Sequence, residues 1–323
     1  MKNLRSYFSV LIVFCLCLTF TLNAKNRKQK PRHAKDRESK EVNAAPSVIK
    51  DRRSSAPYIT GDGFRSCCDH IIDEENTPFY PQSVKNGDKI FVKTDLLAHF
   101  FQNDHSKIQS TYVLITHNSD HPIPGSFARY LDDEKILGWF GQNAEEVVHP
   151  KLHPIPIGLE NRYNKNGNPD IVRQCMENFK NSEKQHLVYM NFTIQTAPTE
   201  RTKVYRIFET KPYCKVAPPK PYTQYLQDLA ETQFTLSPRG NGLDCHRTWE
   251  SLYLGAIPIM RTSASDAMYD GLPVLIIQNW NAVTKEFLEE KYREIQNKKY
   301  VLEKLYIDYW LQRIEDARTP SSN

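Results

Sequence analysis

The chain has 323 residues, 39% of them hydrophobic and 25% charged, which is enough for one large domain or two of ordinary size. The net charge of +5 is unevenly spread. Residues 25–53 carry 11 Lys/Arg and 4 Asp/Glu, and Lys2 and Arg5 add two charges, so the rest holds 30 Lys/Arg against 34 Asp/Glu. This mildly acidic remainder gives no support for nucleic-acid binding, and we expect no nucleic-acid partner.

The N-terminus has the pattern of a targeting segment. Lys2 and Arg5 precede an apolar run over residues 7–22, and cleavage after Ala24 would fit a secretory signal. The length of this run, sixteen residues, also approaches the lower limit for a membrane span. Residues 1–24 are therefore predicted to be a signal peptide or a membrane anchor. We expect a secretory-pathway protein (Golgi-type lumen if eukaryotic) or a single-pass membrane-anchored one. Seven Lys/Arg between residues 25 and 37 leave the side of the membrane open.

Residues 25–56 are polar, basic and free of aromatic side chains. This composition predicts a disordered stem rather than a domain, because too little apolar surface is present to offset the entropy of ordering. A patch for acidic lipid is the alternative interpretation.

No metal site is predicted. The five cysteines beyond the leader lack metal-ligand spacing, although one or two disulfides are possible if the domain is exported. No Asp-x-Asp pair follows a predicted core strand. We therefore expect a reaction that needs no metal and no cofactor.

Apolar strands alternate with helical stretches in two successive series. The first series has strands at residues 90–93, 112–116, 137–140 and 154–157 and a helix at 95–102. After a break near 164–169, the second has strands at 187–192, 234–236, 256–260 and 273–277, helices at 171–179, 200–209 and 223–230, a proline-rich loop at 211–222, and a long helical region at 283–316. The pattern predicts an α/β fold with two Rossmann-like halves facing a cleft, residues 57–168 and residues 169–323.

In such sheets, ligands bind beyond the carboxyl ends of the strands. In the first half this rule selects residues 117–120, Gln142, Asn143, Glu160 and Asn161. In the second half it selects Asn191 and residues 237–242. Polar residues also follow strands for purely structural reasons, and for each residue taken singly that interpretation comes first.

Residues 234–260 are the most informative run. A strand at 234–236 leads into a polar turn at 237–242, a helix that Gly255 ends, and a strand at 256–260. Asp244 is the predicted N-cap, and Trp249, Leu252 and Tyr253 recur at helical spacing and should face the core.

A glycine-containing turn before a helix N-terminus is a ready anion site, because backbone N–H groups and the helix dipole both favour negative charge. Arg239 and Arg247 add fork-shaped donors that match phosphate oxygens. The alternative is that the glycines only make the turn and that the arginines pair with carboxylates.

The residue pattern of this run is similar to that of a known family. Arg239-Gly240, then Arg247-x-x-Glu250, then residues 254–259 (LGAIPI) resemble the nucleotide-sugar half of exostosin-type glycosyltransferases, whose fold is of the GT-B type. The similarity is sharp over about 27 residues, and fucosyltransferases end their donor motif in a similar strand. It implies an enzyme that transfers a sugar from a nucleotide-sugar donor to a glycan or related acceptor, with inversion expected.

The resemblance also implies roles. Donor binding is assigned to the turn and the following helix: Ser237, Arg239, Gly240, Asn241, Gly242, His246, Arg247 and Glu250. Glu250 would accept from ribose hydroxyls, and its alternative role is a carboxylate paired with His246. His117 and Asp120, on the acceptor side, are the candidate catalytic bases, and a cap or turn role is the alternative for each.

Two other classes of function stay open from the sequence. One is a non-catalytic carbohydrate-binding protein of the same fold. The other is a different nucleotide-dependent transferase, such as a polyol-phosphate transferase.

Overall fold

The computed structural model describes residues 50–145 and 147–318. The predicted signal or anchor, and the stem up to residue 49, lie outside these residues. Within the described ranges, no helix has both the length and the apolar character that crossing a membrane requires. No disulfide joins the five cysteines found there.

The first half is built on five parallel strands. They are β1 His70–Ile72, β2 Asp88–Lys93, β3 Tyr112–His117, β4 Ile136–Gly141 and β5 Leu152–Pro154. The sheet order follows the chain, β1-β2-β3-β4-β5. Every residue of β3 is buried, as expected for a central strand covered on both faces. Thr116 of β3 pairs with Gly141 of β4, so the residues that follow both strands emerge at one edge.

The second half contains a second parallel sheet. Its strands are β6 His186–Met190, β7 Cys214–Val216, β8 Thr232–Leu236, β9 Ile257–Arg261 and β10 Leu275–Ile277. Their order is β10-β9-β8-β6-β7. The connection from β6 leads to β7 on one side of it, and the next connection crosses back to β8 on its other side. The carboxyl ends of β6 and β8 therefore flank a topological switch point, where ligands of open α/β sheets bind.

Eight α-helices accompany the sheets in the described residues. They are α1 Gly61–Ser66, α2 Leu97–Asn103, α3 Pro169–Phe179, α4 Pro198–Phe208, α5 Tyr222–Ala230, α6 His246–Tyr253, α7 Lys285–Gln296 and α8 Ile307–Asp316. The local sequence explains several ends. Asn168 caps α3 and Pro169 fills its first position, while Thr284 caps α7 by accepting from the Phe287 N–H. Gly255 follows α6 with φ +71°, a conformation that glycine adopts without strain.

The two parallel sheets of the predicted α/β fold are confirmed, and elements from both halves share a core. Trp249 and Tyr253 of α6 lie in the same buried cluster as Phe140 of β4 and Trp310 of α8. The predicted inward face of α6 is also confirmed, because Trp249, Leu252 and Tyr253 are all buried.

Three local predictions were wrong. The long helical region at 283–316 is two helices, α7 and α8, separated by the short 3-10 helix Leu302–Leu305. The proline-rich stretch at 211–222 contains β7, which pairs with β6. The strand expected at 154–157 is instead β5, which ends at Pro154. Proline lacks the N–H that would continue the ladder, which fits a strand ending there.

The C-terminal helix returns to the first half. Lys89 of β2 donates to Glu315 of α8, and the Arg318 Nε donates to the Gly87 carbonyl at 2.7 Å. The predicted boundary, which assigns residues 169–323 to the second half, therefore does not describe where α8 packs.

The end of the predicted stem is also part of the fold. Arg52 is buried and pairs with Asp62 at 2.9 Å, Asp73 at 3.3 Å and Glu74 at 2.7 Å. A buried guanidinium needs such partners, since removing the charge from water is costly. The prediction of disorder is wrong for residues 50–56.

Candidate functional site

The site lies where β6 and β8 end. Asn191, Phe192 and Thr193 follow β6, and the turn at residues 237–245 follows β8 and leads into α6. A cavity of about 470 Å³ opens here. We call it the basic cavity after four cationic side chains on its wall, Lys165, Arg201, Lys220 and Arg247. Four carboxylates line it as well: Asp120, Glu160, Asp244 and Glu250.

Arg247, on α6, is half-buried and aimed at this cavity. Its Nε donates to the Asn191 carbonyl at 2.9 Å, and its guanidinium lies 5.7 Å from the centre of the Phe192 ring. Its Nη1 is buried without a hydrogen-bond partner, and no carboxylate pairs with it in the described part of the chain. The alternative in which Arg247 is locked into a carboxylate pair is therefore not what the structure shows.

Arg201, on α4, lies close to the same ring. Its guanidinium is 5.6 Å from the Phe192 centroid, and only 5% of the residue is exposed. It donates to the carbonyls of Arg239 at 2.8 Å and Thr193 at 2.7 Å. Burial, and next the charge of Arg247, lower the pKa of Arg201. Two repelling cations thus share one aromatic ring at the cavity wall.

Arg201 was not among the predicted site residues, although the pattern of α4 indicates that it is buried. Arg201, Val204 and Phe208 are the buried residues of α4, at spacings of three and four. This helical periodicity places the arginine on the inward face, where a buried charged residue is a candidate functional residue.

Glu250 is held by two tyrosines. It is 6% exposed, and its Oε1 and Oε2 accept from the hydroxyls of Tyr222 and Tyr225, each at 2.9 Å. Burial, together with the charge of Glu250, raises the pKa of both tyrosines, so they remain donors. Glu250 does not pair with His246, which was its alternative role, and it lines the basic cavity.

Asp244 is not the N-cap of α6. The cap position is Cys245, and Asp244 is a buried acceptor that joins three elements. It accepts from the Trp249 indole at 2.8 Å, the Tyr269 hydroxyl at 2.7 Å and the Ile157 backbone N–H at 2.8 Å. These bonds fix the turn to the first half.

The turn is also fixed by Asn143, which follows β4. Its Oδ1 accepts from the backbone N–H groups of Leu243 at 2.9 Å and Asp244 at 3.3 Å. A Cβ on Gly242 would lie 2.5 Å from the Asn143 Nδ2, so only glycine fits there. The expected anion nest is thus partly filled by an amide of the other half.

The predicted donor residues divide into two groups. Six of them line the basic cavity: Gly240, Asn241, Gly242, His246, Arg247 and Glu250. The other two do not. Ser237 is buried and bonds the Thr248 hydroxyl at 2.8 Å, and Arg239 is exposed and donates to the Asn241 carbonyl at 2.8 Å. Arg239 lines a neighbouring cavity of about 840 Å³ on the outer side of the turn.

His117 is not placed to act as a base. It is 1% exposed, its Nε2 lies 3.0 Å from the Pro156 carbonyl, and its Nδ1 accepts from the Asn118 backbone N–H at 2.8 Å. Because a carbonyl can only accept, Nε2 carries the proton, and both nitrogens are engaged. Burial lowers the pKa of His117 to about 4. These bonds give His117 a structural role, and its catalytic role stays a prediction.

Asp120 lies at the junction of two cavities. It is exposed and accepts from the Asn241 Nδ2 at 3.0 Å, which links the two halves at the mouth of the site. Asp120 and His246 both line the basic cavity and also a smaller one of about 210 Å³ in the first half. We call this smaller space the amide cavity, because Asn118, Gln142 and Asn161 line it.

His246 was assigned to donor binding, and its geometry adds a second possibility. Its Nδ1 donates to the Gly158 carbonyl at 2.8 Å, so Nε2 is left as an acceptor. No hydrogen-bond partner of Nε2 occurs among the residues that the structure describes. His246 can therefore accept a proton between the two cavities.

Comparisons with known proteins give the following. No protein-family model matches the sequence, and no curated protein matches it. Among solved structures, the chain is similar to a glycosyltransferase from Rickettsia africae with a TM-score of 0.35 and 11% identity, over 72% of this chain and 78% of that one.

Two other solved structures are similar over 73% of this chain and 58% of theirs, each at 9% identity. They are the GtfA/B complex, with a TM-score of 0.36, and the pneumococcal O-GlcNAc transferase GtfA in complex with UDP and GlcNAc, with a TM-score of 0.34. We base no argument on likenesses with TM-scores below 0.5. The resemblance of residues 234–260 to exostosin-type enzymes stays a prediction.

Proposed function

We propose that this protein is a glycosyltransferase that binds the diphosphate of a nucleotide-sugar donor in the basic cavity. One observation carries the proposal: the guanidinium groups of Arg201 and Arg247 lie 5.6 and 5.7 Å from the centre of the Phe192 ring at the switch point, and no salt bridge joins either of them to a carboxylate among the described residues. A bound anion would offset these charges, since cations at a cavity wall without a counter-ion are unfavourable. The Arg247 Nη1 lacks a hydrogen-bond partner and can donate to a diphosphate oxygen, while Arg201, which already donates to the Arg239, Thr193 and Pro238 carbonyls, contributes mainly its charge.

Glu250 supplies the complementary contact. A nucleotide carries ribose hydroxyls next to its phosphates, and hydroxyls donate to carboxylates. Tyr222 and Tyr225 hold the Glu250 carboxylate and leave each oxygen a further lone pair for the sugar. Cations for the diphosphate and an acceptor for ribose thus line one cavity.

The chemistry follows from the two cavities. An acceptor hydroxyl attacks the anomeric carbon, the new C–O bond forms, and the bond from that carbon to the diphosphate oxygen breaks. The electron pair leaves with the diphosphate, where Arg201 and Arg247 stabilise the growing charge. The proton of the hydroxyl passes to Asp120 or His246, which lie between the cavities. Inversion at the anomeric carbon and independence from metal ions stay predictions.

Thermal-shift measurements with UDP, GDP, CDP and CMP test the proposal. A ligand that binds only the folded state raises the melting temperature, so one diphosphate should stabilise the protein and the monophosphate should do so less. The Arg247→Ala variant should lose this stabilisation. If no nucleotide stabilises the wild-type protein, the proposal is wrong. If a nucleotide binds but no sugar is transferred to any acceptor, the protein is a binding protein of this fold.

A further inference from the structure

Two consecutive cysteines bring their sulfur atoms together at the end of α1. The Sγ atoms of Cys67 and Cys68 lie 4.0 Å apart, and both thiols donate to one oxygen, the Phe64 carbonyl, at 3.0 and 3.2 Å. Consecutive side chains on a helix point about 100° apart, and those on a strand point to opposite faces, so neighbours in sequence do not ordinarily converge. The two sulfurs converge here because the helix ends between them, with Cys67 as its C-cap.

The two thiols differ in acidity. The hydrogen bond from Cys68 lowers the pKa of the Cys67 thiol below its usual value, and the charge of Lys89 on β2 acts in the same direction. Burial raises the pKa of Cys68 well above its usual value. Because the thiolate is the reactive form, Cys67 is the sulfur suited to attack, and Cys68 is the protonated partner beside it. Both residues are half-buried, so a small reagent can reach the pair.

A disulfide between neighbours in sequence differs from an ordinary structural one. Adjacent Cα atoms are about 3.8 Å apart across a trans peptide, which is shorter than the ~4.4–6.8 Å span of ordinary disulfides, so closing the ring strains the chain. Strained disulfides are easily reduced and are typical of labile or regulatory bonds. A bond at this position would therefore open and close with the thiol–disulfide balance of its surroundings.

We propose that Cys67 and Cys68 form a reversible thiol–disulfide exchange site, which closes to a disulfide on reaction with a small-molecule disulfide such as glutathione disulfide. The inference goes beyond the proposed function and does not rest on it.

The exchange has two steps. The Cys67 thiolate attacks one sulfur of glutathione disulfide, a bond between Cys67 and glutathione forms, and the S–S bond of the reagent breaks with its electron pair on the departing thiolate. The Cys68 sulfur then attacks the Cys67 sulfur and releases the second glutathione thiolate. Both cysteine protons pass to solvent, and both released thiolates take up protons. Two protein thiols are oxidised to one disulfide, while one glutathione disulfide is reduced to two thiols.

Peptide mapping of the folded full chain tests the proposal. The protein is equilibrated in glutathione buffers of graded disulfide-to-thiol ratio, its free thiols are alkylated, and trypsin is added. Trypsin cuts after Arg65 and Lys85, so one peptide, residues 66–85, carries both sulfurs and no other cysteine. As the buffer becomes more oxidising, this peptide should lose two hydrogens and take up no alkylating group. Dithiothreitol should restore both thiols.

A synthetic peptide of residues 66–85 is the reference for adjacency in sequence alone. The fold already holds the two sulfurs at one oxygen, so less entropy is lost when the ring closes. The equilibrium constant for closure with glutathione should therefore be about tenfold larger in the folded protein than in the peptide.

Single substitutions separate the roles of the two sulfurs. Cys68→Ser should trap Cys67 as its glutathione adduct, because no second thiol is present to displace glutathione. Cys67→Ser should give little adduct, because the remaining Cys68 thiol stays protonated. The matched control is Cys175→Ala, at a buried cysteine on α3, which should leave closure unchanged.

Three results would overturn the inference. Both cysteines could stay open to alkylation in the most oxidising buffer, or glutathione could stay attached to the wild-type protein without ring closure. Equal closure constants in the protein and the peptide would show that adjacency alone suffices. None of these measurements involves a nucleotide, so the proposed function can stand while this inference fails, and the reverse also holds.

Discussion

The side-chain oxygen of Asn143 lies 2.9 Å from the backbone nitrogen of Leu243, so an amide of the first half shapes the turn of the second. Asn143 has φ +58°, a conformation that asparagine tolerates better than most residues. Its other amide atom donates to the Ser119 carbonyl at 3.3 Å. The turn at residues 237–245 is therefore not autonomous, and its shape depends on contacts with the first half.

Gly242→Ala tests this dependence. The added Cβ would lie 2.5 Å from the Asn143 Nδ2, so either the turn or the asparagine must move. We expect nucleotide stabilisation to fall and the protein to lose about 1–3 kcal/mol of stability, as for other overpacked sites. Chemical denaturation and thermal shift measure the two effects. Gly125→Ala is the control, because no atom lies within 4 Å of its Cβ, although its positive φ adds its own strain.

The two arginines should respond differently to removal. If Arg247 contacts the departing diphosphate as proposed, Arg247→Ala should raise the activation free energy that corresponds to kcat/KM by roughly 2–4 kcal/mol, while stability changes little. Arg201→Met should cost both activity and stability, because Arg201 also bonds the Arg239 and Thr193 carbonyls. Steady-state kinetics and denaturant titration separate these outcomes.

Arg247→Lys keeps the positive charge but lacks the paired N–H donors of the guanidinium, so it should recover only part of the activity. Wild-type kcat/KM in Arg247→Ala would contradict the assignment.

The sequence was sufficient to predict what local patterns determine. Both sheets, the inward face of α6 and the polar strand ends that meet at the site follow from strand and helix periodicity. Gln142, Asn143 and Asn161 were selected by the strand-end rule, and the structure places Gln142 and Asn161 on the amide cavity and Asn143 against the turn at residues 237–245.

What the sequence could not show depends on distant partners. Asp244 fits the N-cap pattern, yet the Trp249 indole, the Tyr269 hydroxyl and the Ile157 N–H engage it instead. His117 ends a strand as a catalytic residue would, yet its Nε2–H donates a hydrogen bond to the Pro156 carbonyl, 39 residues away in sequence. Such pairings arise from tertiary packing and leave no periodic trace.

Glu250→Gln tests the ribose contact. The amide keeps the shape but loses the charge, and one of the two tyrosine hydroxyls faces an N–H₂ group instead of an acceptor. We expect the preference of the wild-type protein for a ribonucleotide over its 2′-deoxy analogue to shrink several-fold, as one charged hydrogen bond weakens. Titration calorimetry with UDP and 2′-deoxy-UDP measures it. Tyr222→Phe, which removes one supporting hydroxyl, should lower affinity for both nucleotides alike. An unchanged preference in Glu250→Gln would place ribose elsewhere.

His117 should leave a signature in the pH dependence of stability. Burial lowers its pKa to about 4, while an unfolded histidine titrates near 6.5. Between these values the unfolded state binds the proton and the folded state does not, so the fold loses stability as pH falls, by on the order of 3 kcal/mol at pH 4. Asp62, whose pKa burial raises to about 6, contributes with the opposite sign between pH 6 and 4. The informative quantity is therefore the difference in unfolding free energy between the wild-type protein and a variant that lacks His117, because Asp62 contributes equally to both.

We expect His117→Gln to be less stable than the wild-type protein at pH 7.5, since two buried hydrogen bonds change. The gap should narrow as the pH is lowered through 6.5 toward 4. Urea titrations at several pH values give this difference directly. A gap that stays constant over this range would mean that His117 does not titrate with a lowered pKa.

Asp120→Asn tests the candidate base that the structure retains. The amide cannot take a proton, so kcat should fall 10²–10⁴-fold while nucleotide affinity stays near that of the wild-type protein.

Asp120 also accepts a hydrogen bond from Asn241, and the loss of this bond could by itself explain a loss of activity. Asn241→Ala removes this bond but keeps the carboxylate, so it should lower kcat far less than Asp120→Asn if the carboxylate is the base. Equal losses in both variants would assign Asp120 to positioning the turn. A loss in His246→Gln that exceeds both would then assign the proton to the imidazole of His246, a residue that lines the same two cavities.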